Sequence, residues 1–137
     1  MDEILIVVDG KRFPALLHED KAPMTCKAIV QRLPISGKVI HARWSGEAIW
    51  LPMEEQRITV ELENQTCYPS RGQILFYPGF VSERELLIPY GATMFASKSG
   101  ILPGNHFATI LEGLEELAAI GKKVLWEGAK DISISIM

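Results

Sequence analysis

Ile4-Leu5-Ile6-Val7-Val8-Asp9-Gly10-Lys11-Arg12-Phe13 is the stretch on which the fold turns. An apolar β-branched run, an Asp-Gly pair and a second run to Leu17 predict a hairpin, because Asp-Gly supplies the positive φ angles that a two-residue type I′ turn demands. Pro14 cannot donate to a ladder, which places an edge or a bulge in the second strand.

Downstream, Asp20 is positioned to cap a helix over about Ala22 to Leu33, with Pro23 in its first turn and Pro34 ending it. Cys26, Ile29, Val30 and Leu33 share its inner face. From Gly37 onward, short strands separated by Gly, Pro and Ser take over: Lys38 to Trp44, Glu47 to Leu51, Ile58 to Leu62, Gln73 to Tyr77, Glu85 to Ile88 and Ala92 to Ala96. A second helix is predicted over about His106 to Ile120, with Gly121 ending it. Strands at Lys123 to Trp126 and Ile132 to Ile136 close the chain.

Eight or nine strands and two helices in 137 residues predict one mostly β domain over 1–137. Closure into an antiparallel barrel would remove exposed edges, leaving the helices to cover its ends. Apolar residues make up 47% and charged residues 23%, a balance that folds without staples.

The net charge of −3 and the scattered basic residues argue against a nucleic-acid partner, which needs a basic stripe. No apolar run approaches the roughly 20 residues that span a bilayer. The acidic start Met1-Asp2-Glu3-Ile4 is unlike a secretory signal, so a cytoplasmic location is expected. In that reducing setting Cys26 and Cys67 read as packing residues, and Asn64-Gln65-Thr66 as structural or ligand-related rather than glycosylated. Histidines 18, 41 and 106 show no metal-ligand spacing, and no glycine-rich phosphate loop is present, so neither a metal nor a nucleotide cofactor is expected.

Four segments combine polar and aromatic residues in ways that suit a binding site. In Arg43-Trp44 with Trp50, a buried arginine would demand an anion, and a surface arginine beside a core tryptophan is the competing reading. In Glu63-Asn64-Gln65-Thr66 with Tyr68, short polar groups leave a strand; they orient a ligand or satisfy their own turn. Tyr90-Gly91 and Phe95 to Gly100 allow close backbone approach, but Ser97 and Ser99 lack a local base. Gly104-Asn105-His106-Phe107 is favoured: Asn105 would cap the second helix and His106 could bind a polar ligand or act as a base.

Seven segments taken together carry a family resemblance: Arg43 to Ala48, Glu63 to Thr66, Tyr68-Pro69, Tyr77-Pro78-Gly79, Tyr90-Gly91-Ala92, Phe95 to Gly100 and Gly104 to Ala108. In this order they resemble a bacterial family of unknown function with the cyclophilin-like fold. The resemblance implies a small eight-stranded barrel with two helices and no established activity. The Phe-His-Arg and Gln-Gly-Gly signatures of the prolyl isomerases are absent, and Arg43 follows His41-Ala42, so isomerase activity is not expected.

The resulting expectation is a protein that binds a small polar or anionic metabolite through Arg43, Glu63, Asn64, Tyr68, Tyr90, Asn105 and His106, with Tyr77 and Phe95 as pocket walls. The alternative is an accessory protein acting through an enzyme partner or through homo-oligomers, which symmetric dimers make common. A hydrolase or isomerase pairing His106 with Glu63 is the third reading.

Overall fold

The computed structural model describes residues 2–137. In chain order it comprises β1 (Glu3–Val8), β2 (Lys11–Leu17), α1 (Pro23–Val30), β3 (Ile35–His41), β4 (Gly46–Pro52), β5 (Gln65–Thr66), β6 (Gln73–Tyr77), β7 (Glu85–Thr93), β8 (Ala96–Ser97), β9 (Gly100–Ile101), β10 (Gly104–Ile110), α2 (Leu114–Glu127) and β11 (Lys130–Ile136). The main sheet runs β2-β1-β11-β3-β4-β7-β6-β10, and a β10–β2 pairing closes it into an eight-stranded antiparallel barrel. β5 adds to the free edge of β10 beyond β2, and β8–β9 is a separate small hairpin.

The opening hairpin forms as the sequence dictates. Asp9 (φ 49°) and Gly10 (φ 80°) both take positive φ, and Val8 pairs with Lys11 across the turn. Ile4, Ile6 and Val8 alternate inward, and Ile132 and Ile134 of β11 do the same beside them. The two helices close off the barrel. Cys26 and Ile29 of α1, and Leu117, Ile120 and Val124 of α2, join one core with Phe13, Phe76, Ile88 and Phe107. Cys26 and Cys67 are both free thiols.

Several expectations are corrected. No side chain caps α1: its N-cap is Ala22 rather than Asp20. Residues 58–62 alternate in burial but join no ladder; the segment lies beside α1, where residues 59–63 and Met24 line one cleft. The predicted second helix is divided: 104–110 is strand β10, and helix α2 begins only at Leu114, after Gly113 (φ 76°), and takes in the expected strand 123–126.

A β-bulge explains the misreading of β10. The register slips between His106 and Ala108, so Phe107 and Ala108 both turn inward and Ile110 follows, a three-residue spacing that imitates a helix face. Gly121 does not end α2 but lies within it, flush against the ring of Tyr90, and Gly128 (φ 97°) ends the helix instead.

Candidate functional site

The barrel wall formed by β4, β7 and β6 is apolar on both faces. Ile49, Leu51, Ile74, Phe76, Leu86 and Ile88 point inward, while Ala48, Trp50, Leu75, Tyr77 and Leu87 point outward. The outward set is roofed by Phe95 and Leu102, which flank the β8–β9 hairpin and make a second small core. Ser45 pins the hairpin down: its hydroxyl donates to the Ala96 carbonyl and accepts the Ala96 N–H, each at 3.0 Å. Gly46 (φ 96°) lets the chain pass so close to the Ala92 carbonyl that a Cβ would sit 2.7 Å from it.

Where this roof stops, a cavity of about 240 Å³ opens between the 40–45 segment, Trp50, Ser82, Glu83, Glu85 and residues 96–98. Glu85 opens β7 and is paired in register with Tyr77, so it shares the outward face. It is 8% exposed and lines the cavity, yet its carboxyl has no hydrogen-bond or ion-pair partner among the described residues. Burial, then the charge of Glu83, pushes it up to about 8 from the usual 4.5. A carboxyl held in this way is a neutral acid near pH 7 that can donate a proton, or can ionise against an incoming cation. Trp44, 57% exposed, and the half-buried Trp50 supply aromatic surface, while Arg43 and Lys98 stand exposed on the rim.

The favoured polar residues form a different cluster. Asn105 is wholly buried in β10 and caps no helix. Its Nδ2 donates to Thr25 Oγ1 (3.1 Å) and the Glu61 carbonyl (3.0 Å), and its Oδ1 accepts the Glu63 N–H (3.0 Å). Glu63 Oε2 accepts both the N–H (2.6 Å) and the hydroxyl (2.7 Å) of Thr25. These bonds staple α1 and the 61–63 segment onto β10. Asn64 (φ 49°) donates to the His106 carbonyl at 2.8 Å.

The bulge that misled the periodicity also sets His106 and Thr109 side by side. Thr109 Oγ1 bridges His106 Nε2 (2.9 Å) and His18 Nε2 (2.7 Å), donating to one and accepting from the other. The two imidazoles meet edge to face at 4.7 Å. Burial, then the neighbouring His18, lowers His106 to about 4, so it is neutral at pH 7. No hydrogen bond joins His106 to Glu63 among the described residues.

Of the residues expected to hold the ligand, only Arg43 reaches the cavity, with Trp44, Trp50 and Ser97 from the candidate segments beside it. Tyr90 points into the barrel, where its hydroxyl meets His41 Nε2 at 2.7 Å. Since a carbonyl can only accept, His41 Nδ1 donates to the Ala42 carbonyl at 2.8 Å, which leaves Nε2 to the Tyr90 hydroxyl. Tyr77 and Phe95 are buried against each other at 5.7 Å rather than lining a pocket. Tyr68 is exposed.

A larger cleft of about 740 Å³ lies between Met24, residues 59–63 and Phe80, but its one partly buried carboxylate, Glu63, is already satisfied by Thr25. Glu85 is the functional candidate that sequence reasoning missed. The signal it offers is slight: it is the last of the charged triplet Glu83-Arg84-Glu85, directly before the apolar run Leu86-Leu87-Ile88. Among the described residues no group of three or more His, Cys, Asp or Glu side chains could hold a metal ion, and no helix is long and apolar enough to cross a membrane.

The chain belongs to a family described as "Protein of unknown function (DUF3830)", whose model matches residues 4–136. No curated protein sequence matches it. Among solved structures it is similar to McbB in complex with tryptophan, with a TM-score of 0.74 and 19% identity over 97% of this chain and 44% of that one. The chain thus spans less than half the length of McbB. It is also similar to the hypothetical protein AF2241 from Archaeoglobus fulgidus, with a TM-score of 0.67 and 16% identity over 99% of this chain and 95% of that one. At these identities the likeness is one of fold.

Proposed function

For this member of a family of unknown function, we propose that the chain binds a small metabolite with an apolar body in the cavity on the outer face of the barrel. The observation that carries the reading is Glu85: a buried carboxyl with no partner, opening into a space walled by two tryptophans. A carboxyl held mostly out of water, with no partner and facing a cavity, is a candidate binding group, because a ligand can supply the hydrogen bond or counter-charge that the fold does not. At about 240 Å³ the cavity suits a metabolite smaller than the drug-sized ligands of ~300–1,000 Å³ pockets. McbB, a neighbour by fold, was solved with tryptophan, so aromatic amino acids are the first compounds to try.

The cyclophilin-like affiliation belongs to the same proposal and is supported by the closed eight-stranded barrel with two helices. Prolyl isomerase activity forms no part of it. Nor does the proposal rest on the Asn105 and His106 cluster, whose polar groups already serve one another.

A thermal-shift screen against metabolites tests the reading, since a ligand bound by the native state alone raises the melting point. A hit should vanish in Trp50→Ala and persist in His106→Gln. The reverse pattern would move the site to the histidine cluster, and silence across a broad library would refute the reading. A second reading, self-association, is favoured by one observation: Trp126 is 84% exposed beside exposed Leu125 on α2. Sedimentation of Trp126→Glu against the unmodified chain tests it.

A further inference from the structure

The charge of the ligand is written into the cavity by what surrounds Glu85. Four other charged or titratable groups line the same space, namely His41, Arg43, Glu83 and Lys98. Neither cation pairs with Glu85; both stay in water on the rim, and Glu83 adds only repulsion. His41 is already committed through both ring nitrogens, to the Ala42 carbonyl and to Tyr90. Among the described residues no group is therefore placed to neutralise an ionised Glu85. A neutralising cation has to come from outside, and the walls offered to it, Trp44 and Trp50, present the aromatic surface that cations favour.

We propose that the cavity takes an alkyl ammonium, its N–H groups on the Glu85 carboxylate and its carbon body against Trp50. Where the ligand also carries a carboxylate, as an amino acid does, that group lies at the rim beside Arg43 and Lys98. The inference rests on the cavity being the binding site. It has a stoichiometric consequence. The free protein holds Glu85 as the neutral acid at pH 7, and the complex holds it as the carboxylate, so each ammonium bound releases about one proton to solvent.

Calorimetric titration of the full chain with tryptamine, indole-3-propionate and tryptophan at pH 7, in two buffers of different ionisation enthalpy, tests this. Tryptamine and tryptophan should bind with release of about one proton. Glu85→Gln should weaken both by at least about tenfold, as loss of one member of a desolvated charge pair does, while its melting transition stays cooperative. Arg43→Ala should weaken tryptophan several-fold and leave tryptamine unchanged. Binding of indole-3-propionate without tryptamine would keep the cavity as a site but overturn the ammonium. Equal affinity of tryptamine for Glu85→Gln and the unmodified chain would overturn it too. Silence from all three overturns it, and joined to a silent metabolite screen takes the binding reading with it.

Discussion

Glu85→Gln is expected to change how stability depends on pH, in a direction opposite to that of an ordinary ion-paired carboxylate. Burial raises the folded-state carboxyl from 4.5 to about 8. Between those values the folded chain holds a proton that the unfolded chain has given up, so stability is full below pH 4.5 and is lost as pH rises through 8. At about 1.36 kcal/mol per unit the whole effect is on the order of 4–5 kcal/mol. His106 works the other way, since its pKa is lowered from 6.5 to about 4 and the unfolded chain is the one that binds the proton there. From pH 4.5 to 6.5 the two slopes offset each other. From 6.5 to 8 Glu85 acts without that offset, and roughly 2 kcal/mol should be lost by the unmodified chain and none of it by Glu85→Gln. Urea unfolding at half-unit steps from pH 6 to 8.5, with both proteins in the same buffers, measures this. Parallel curves for the two proteins would refute the claim that Glu85 is a desolvated carboxyl without a partner.

Three further outcomes follow from the packing. His106→Gln should leave the Glu85 slope unopposed, so that stability rises by roughly 2–3 kcal/mol as pH falls from 6.5 to 4.5, where the unmodified chain is nearly flat; urea unfolding at those two pH values reads it, and an unchanged flat profile would contradict the neutral, buried imidazole. Asn105→Ala should cost about 2–4 kcal/mol in chemical denaturation, since it removes three hydrogen bonds and leaves the Glu63 N–H and the Glu61 carbonyl unpartnered in a part-buried seam. Gly121→Ala ought to stabilise an isolated helix by roughly 1 kcal/mol. Here the added Cβ would land on the Tyr90 ring, so the melting temperature should fall instead, for a net loss of about 1–3 kcal/mol.

Part of the candidate site is legible in the sequence. Arg43, Trp44 and Trp50 stand out as a charged and aromatic group, and all three line the cavity. Glu85 did not stand out, because one carboxylate at the head of a strand reads as an ordinary strand end. What makes it unusual is the hairpin 96–101 folded over its neighbours and the absence of a counter-charge, and both come from residues distant in the chain. Asn105 shows the opposite case. It was conspicuous in sequence, but its buried bonds to Thr25, Glu61 and Glu63 make it a staple.

Local chemistry settled by itself whatever depended on neighbours in sequence: the Asp9-Gly10 turn, the inward alternation of Ile4, Ile6 and Val8, the proline that opens α1, and enough short strands to favour a strongly curved or closed sheet. Tertiary structure decided the rest. The slip at Phe107 turned an apparent helix face into a strand, since periodicity cannot distinguish a bulge of two inward residues from a turn of helix. It also decided which polar groups would find partners. Burial and satisfaction are properties of the assembled surroundings, and only the folded barrel leaves Glu85 mostly buried, facing a cavity and without a hydrogen-bond or ion-pair partner among the described residues.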